Sequence, residues 1–244
     1  MYEKRVKLNQ ETKTSSIRIN AKKSEWALTD NEKDEVKDNI KDILSKVLKC
    51  EDINENEDKK QLINCIESVF GRNYFIDIIY QKNISERTEK ALNKSSFNLL
   101  TTVIYNAILS ILKLDENKEN INYAVLLIKS SQIYYMVEKN KNVYVINALY
   151  NKFKGLNLLT KINFWEEWFN ISLKEESNYK RNDPSNDKIV LKILNQIINF
   201  MLNSKIQQDI IFNIATSISN KMKNEDEKSK FKKDLTDILK KHNY

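Results

Sequence analysis

A chain of 244 residues can bury one substantial core, but 2 Gly and 1 Pro supply too few turn residues for a sheet-rich fold. A lone His at position 242 excludes a Ser-His-Asp triad, a Cys-His pair or a His-based zinc site within the body, and so few glycines exclude a Gly-rich phosphate loop. The net charge of +7 sits at the ends: residues 1–28 hold seven Lys/Arg against three Glu, residues 221–244 hold eight Lys against five acids, and the neutral stretch between them argues against a surface that tracks nucleic acid.

Residues 1–28 are polar, basic and without periodicity, and read as a flexible tail pinned at its end by Trp26 and Leu28. Its cations Lys4, Arg5, Lys7, Arg18, Lys22 and Lys23 suit a weak, salt-sensitive contact with an anionic surface. "TDNE" at 29–32 then matches a capping box. A first helix follows with Val36, Ile40, Ile43, Leu44, Val47 and Leu48 at helical spacing, and "EDINENED" breaks it. A second carries Leu62, Ile63, Ile66, Val69 and Phe70 and is expected to stop at Gly71; Tyr74 to Tyr80 reads as a further short helix. The most apolar helix begins near Ser95 with Phe97, Leu100, Val103, Ile104, Ala107, Ile108, Ile111 and Leu112. The next is expected from Lys118 to Val137, followed by a polar break, "EKNKN", at 138–142. "VYVINALYNKF" begins either extended or as a short helix.

Asn163 and Glu166 have the spacing of a cap and its third residue, which starts a helix at Phe164. "NFWEEWF" concentrates two of the 3 Trp in this helix, and Phe164, Trp165, Trp168 and Phe169 should share one broad face. Burying each ring is worth about 2–3 kcal/mol, so this face is expected to anchor the core, the other reading being a hot-spot surface. Asp183-Pro184 caps a helix containing Ile189, Leu191, Ile193, Leu194, Ile197, Ile198 and Met201. "SKIQ" at 204–207 is expected to cap another, and Asp226 to Lys241 forms a last amphipathic one through Phe231, Leu235, Ile238 and Leu239. The expected fold is all-α: an irregular multi-helix bundle or short α-solenoid of eight to ten helices, with residues 29–244 one domain and no strand.

Cys50 and Cys65 lack CxxC spacing and follow no signal peptide, so reduced thiols and a cytoplasmic location are expected. Apolar runs such as "YAVLLI" fall short of the roughly 20 residues that cross a membrane. Glu166 and Glu167 are sequence neighbours that diverge on a helix, and Tyr134, Tyr135 and Glu138 read as packing at helical spacing rather than as a catalytic cluster. No catalytic, cofactor-binding or metal residues are expected, and no cofactor.

"NVYVINALYNKFKGLNLLTKINFWEEWFNISL", the Asp183-Pro184 loop and "LNQIINFMLNSKIQQDII" resemble, in that order, the C-terminal helical module of MADD, the DENN-containing Rab exchange factor. They are more similar still to a related KIAA-named family of animal cytosolic proteins. "SSFNLLTTVIYNAIL" and "AVLLIKSSQIYYM" extend the likeness upstream, to about residues 70–240. The chain departs from the pattern at Leu156-Asn157, where the family tends to Pro-Ile-Trp, and in lacking a long central insertion. What the resemblance implies is a cytosolic protein-interaction module linked to membrane traffic, with no catalytic residues to carry over. The expected function is therefore a non-enzymatic scaffold or adaptor that binds other proteins. The alternatives are a nucleic-acid-binding protein using its basic termini and a structural subunit of a large assembly.

Overall fold

The computed structural model describes residues 28–86, 88–113, 117–140, 143–180 and 187–242. Among these, nine α-helices and a small sheet build one continuous hydrophobic core, an irregular helical bundle. Helix α1 (Asp30–Lys49) opens with the expected box: Glu32 N–H donates to Thr29 Oγ1, and Glu32 Oε2 accepts from Thr29 N–H at 2.7 Å. It ends where Cys50 turns left-handed at φ 56°, so that Cys50 and Glu51 N–H reach back to Val47 and Lys46 C=O. Only the first half of "EDINENED" is therefore a break. Asn54 caps α2 (Glu55–Glu67), whose acidic first turn suits the positive end of the helix dipole.

Gly71 does not end a helix. Helix α2 stops at Glu67, Ser68 is extended, and α3 (Val69–Glu86) runs straight through Gly71 and the Tyr74–Tyr80 segment. Ser68 Oγ accepts from Gly71 N–H at 2.9 Å, which caps the first turn of α3. A Cβ on Gly71 would stand 2.0 Å from Cys65 C=O, so glycine is required by close approach of the two helices rather than by a left-handed turn.

Helix α4 (Lys94–Leu112), capped by Asn93, carries the apolar stripe into the centre of the core and packs on α1, α2, α5 and the sheet. By length and composition alone it is apolar enough to cross a membrane, a property that the short uninterrupted apolar runs do not reveal. Here its apolar face, from Phe97 to Ile111, is buried against the neighbouring elements. Helix α5 (Lys118–Ser130) is shorter than expected and leads through a 3-10 turn, Ser131–Ile133, into a strand.

That strand overturns the all-helical expectation locally. Strand β1 (Lys90–Ala91) pairs in parallel with the start of β2 (Tyr134–Asn140), and β2 pairs antiparallel with β3 (Val143–Ala148) in the order β1-β2-β3. The "EKNKN" segment thus begins as strand rather than as a break. "YYMV" and "VYVI" are rich in aromatic and β-branched residues, which fit a pleated surface better than a helix. Of the two readings of "VYVINALYNKF", the extended start is the observed one, followed by a 3-10 turn, Leu149–Phe153.

Helices α6 (Ile162–Lys180), α7 (Asp187–Asn203), α8 (Gln208–Ser219) and α9 (Glu225–Lys241) then pack largely each on the next. The "SKIQ" box is not formed. Ser204 ends α7 instead, and Lys205 turns left-handed at φ 56°, so that Lys205 and Ile206 N–H satisfy Leu202 and Met201 C=O. The expected Asp183-Pro184 cap lies outside the described residues, as do the six tail cations and Trp26. Both cysteines are free, Cys65 buried and Cys50 half-buried.

Candidate functional site

The aromatic helix forms one wall of the candidate site. Helix α6 starts at Ile162, two residues before Phe164, and Asn163 Oδ1 accepts from Phe164 N–H rather than from the third residue of the helix. Phe164, Trp165, Trp168 and Phe169 are all buried. Phe164 and Trp165 meet edge to face at 5.1 Å, Trp165 and Trp168 lie 5.4 Å apart, and Phe200 of α7 closes on both tryptophans. Trp165 Nε1 donates to Leu159 C=O at 2.8 Å, so its one polar atom is satisfied in the core. Phe169, buried like the others, stands at the margin of this cluster. It makes no ring contact with the other three among the described residues, and Lys221 Nζ stands 4.8 Å from its centroid. Glu166 and Glu167 diverge, toward Ser217 and Asn170 respectively.

Behind this cluster stands a buried cation. Lys129 lies in the last turn of α5, and its Nζ donates to Ser172 Oγ at 2.6 Å and to Glu175 Oε2 at 2.9 Å, both on α6. The ammonium also sits 5.6 Å from the centre of the Trp168 ring. Glu175 Oε1 accepts from Tyr80 OH at 2.8 Å, which ties α3 into the same network. Burial pushes the Lys129 ammonium below the ordinary lysine value, with Glu175 acting against that shift. The Ser172 hydroxyl and the Glu175 carboxylate hold the ammonium between α5 and α6.

Lys129 forms part of the wall of a cleft of about 540 Å³. Gln132, just before β2, and Tyr150, just after β3, also line it, so the cleft opens at the root of the hairpin. The hairpin itself leaves the body. Its ladder runs from Tyr135↔Ala148 to Asn140↔Val143, and β3 is the terminal strand of the sheet. Val143, Tyr144, Val145 and Ile146 are 64%, 69%, 40% and 67% exposed, so neither face of β3 is covered. The strand carries no charge and no proline, the devices that ordinarily blunt an edge.

Compared with family models, with curated proteins and with solved structures, the chain matches none of them. The likeness stated above therefore rests on the quoted residues alone.

Tyr134, Tyr135 and Glu138 lie on β2, not at helical spacing. Tyr134 is buried, Tyr135 is half-buried, and exposed Glu138 accepts from Asn147 Nδ2 across the hairpin. No group of three or more His, Cys, Asp or Glu among the described residues could hold a metal ion. Sequence reasoning missed both the hairpin edge and the cleft. The available signals were an uninterrupted apolar run, "VYVI", and a lysine set inside one, "LLIKSS".

Proposed function

We propose that this protein is a non-enzymatic interaction module that takes up an extended segment of another protein along β3. The observation that carries this is the open outer edge of β3 with four exposed apolar side chains. Adding a strand there satisfies free backbone groups and buries alternate side chains on each face. Six paired residues span about 20 Å, which suits a peptide but falls well short of the area a stable pair of whole proteins buries. The resemblance to the MADD-type module supports the same class, a scaffold or adaptor of the cytosol linked to membrane traffic. The neutral stretch between the basic ends supports a protein rather than a nucleic-acid partner.

The test is a photo-crosslinking amino acid at position 144, with a second at the exposed Phe212 of α8 as control. Position 144 should capture one extended segment of a partner. The matching synthetic peptide should bind in solution and slow amide exchange along β3. Equal capture at both positions, or protection of a helix instead of β3, would overturn the reading. A crosslink into residues 1–27 of the same chain would overturn it as well, by making the edge a site for its own tail.

A further inference from the structure

The cleft at the hairpin root has a chemistry unlike that of the strand edge, and a ligand there is independent of strand addition. Five side-chain amides stand around it: Asn83 from α3, Gln132 from the 3-10 turn, and Gln196, Asn199 and Asn203 from α7. The last three are spaced by three and four residues and so share one face of α7. None of the five has a hydrogen-bond partner among the described residues. Each amide offers both donors and an acceptor.

The charges in the walls are matched. Lys129 is held by Glu175, and Glu176 by Lys192 at 2.6 Å. A phosphate or another polyanion would find one ammonium already occupied by a carboxylate. A nucleobase needs a ring face on which to stack, yet Trp168 and Phe200 are 5% and 7% exposed, and the Tyr150 ring already has Phe200 at 5.3 Å and Lys154 Nζ at 5.7 Å. What remains is a set of neutral donors and acceptors arriving from three elements, beside the half-buried Tyr150. Hydroxyls pointing in several directions meet that set. The volume lies within the range of small-molecule sites. We infer that the cleft binds a neutral polyhydroxylated ligand, a sugar of one or two rings, through Gln132, Gln196 and Asn199.

The experiment follows the side-chain amide resonances of the full chain during titration with glucose, galactose, N-acetylglucosamine and maltose at millimolar concentration. Shifts should concentrate on the amides of the cleft. The double variant Gln196→Leu/Asn199→Leu, at exposed positions, should weaken binding roughly tenfold, as loss of two hydrogen bonds implies. Asn195→Leu, on the adjoining face of α7, should leave it unchanged. If the double variant unfolds, Gln132→Leu on another element should produce the loss. Absence of shifts with all four sugars, or shifts undiminished in these variants, would overturn the inference. So would stronger binding of glucose 6-phosphate than of glucose, which would place the ligand in the anionic class.

Discussion

Phe164, Trp165, Trp168 and Phe169 are at most 5% exposed, whereas Val143, Tyr144, Val145 and Ile146 are at least 40% exposed, although both stretches are strongly apolar. The first lies on a helix bounded by α5, α7 and α8, so each ring finds a partner within the chain. The second lies on a strand with a neighbour on one side only, both of whose faces project past the helices. Apolarity states what a side chain would gain from burial. Whether the chain supplies a covering surface is a separate matter. Along Val143–Ile146 it supplies none, and an uncovered apolar edge is where another chain gains most by docking.

The largest effect should come from emptying the buried side of this comparison. Trp165→Ala removes a fully buried ring and strands the Leu159 carbonyl, and should cost about 3–5 kcal/mol in urea unfolding. An unchanged unfolding midpoint would mean that the aromatic helix is not the anchor it is described as.

Lys129→Met sharpens the same contrast from its polar side. It leaves Glu175 with Tyr80 as its remaining side-chain partner, and the loss should be about 2–4 kcal/mol, moderated by the partial exposure of Glu175. Because the folded-state pKa of Lys129 lies below its ordinary value of 10.5, the unfolded chain binds more protons between those two values. The burial penalty is thus complete below the folded-state pKa and is relieved as pH rises through the window. Burial raises the Cys65 thiol to about 11, which acts in the opposite sense: its contribution is complete below about 9 and is lost as pH rises. Wild type minus Lys129→Met isolates the lysine, and the difference between their stabilities should grow with alkaline pH. A difference independent of pH would contradict the buried ammonium.

The smallest effect on stability belongs to the exposed side. Val143→Lys/Ile146→Lys should change unfolding free energy by no more than about 0.5 kcal/mol, since neither side chain is covered. It should nevertheless abolish capture at position 144, because lysine on an edge strand opposes pairing. A loss above about 2 kcal/mol would show that the hairpin packs on the body and would dissolve the comparison.

Helices with a single apolar stripe and a local cap were legible in advance: α1 with its Thr29–Glu32 box, the stripe of α4, and Phe231, Leu235 and Leu239 on α9. Failures fell where a local signal had two physical meanings. Gly71 serves as readily for close helix approach as for a left-handed turn, and only the position of Cys65 decides between them. Ser204 has cap chemistry, yet the left-handed Lys205 commits its backbone to the end of α7. "YYMV" and "VYVI" lack the alternation that marks a strand with one buried face, because part of the hairpin has neither face buried.

What the sequence determined by itself was the helical class, the absence of a body histidine and the concentration of rings at 163–169, since these follow from composition and from contacts within a few residues. Tertiary structure alone decided which apolar stretch lies outside. It also brought Tyr80, Lys129, Ser172 and Glu175 together from three helices and set the amides of α7 around a cleft. Each of these depends on residues tens of positions apart becoming neighbours. Local propensity acts over about one helical turn, and burial, charge pairing and concavity are properties of the packed chain.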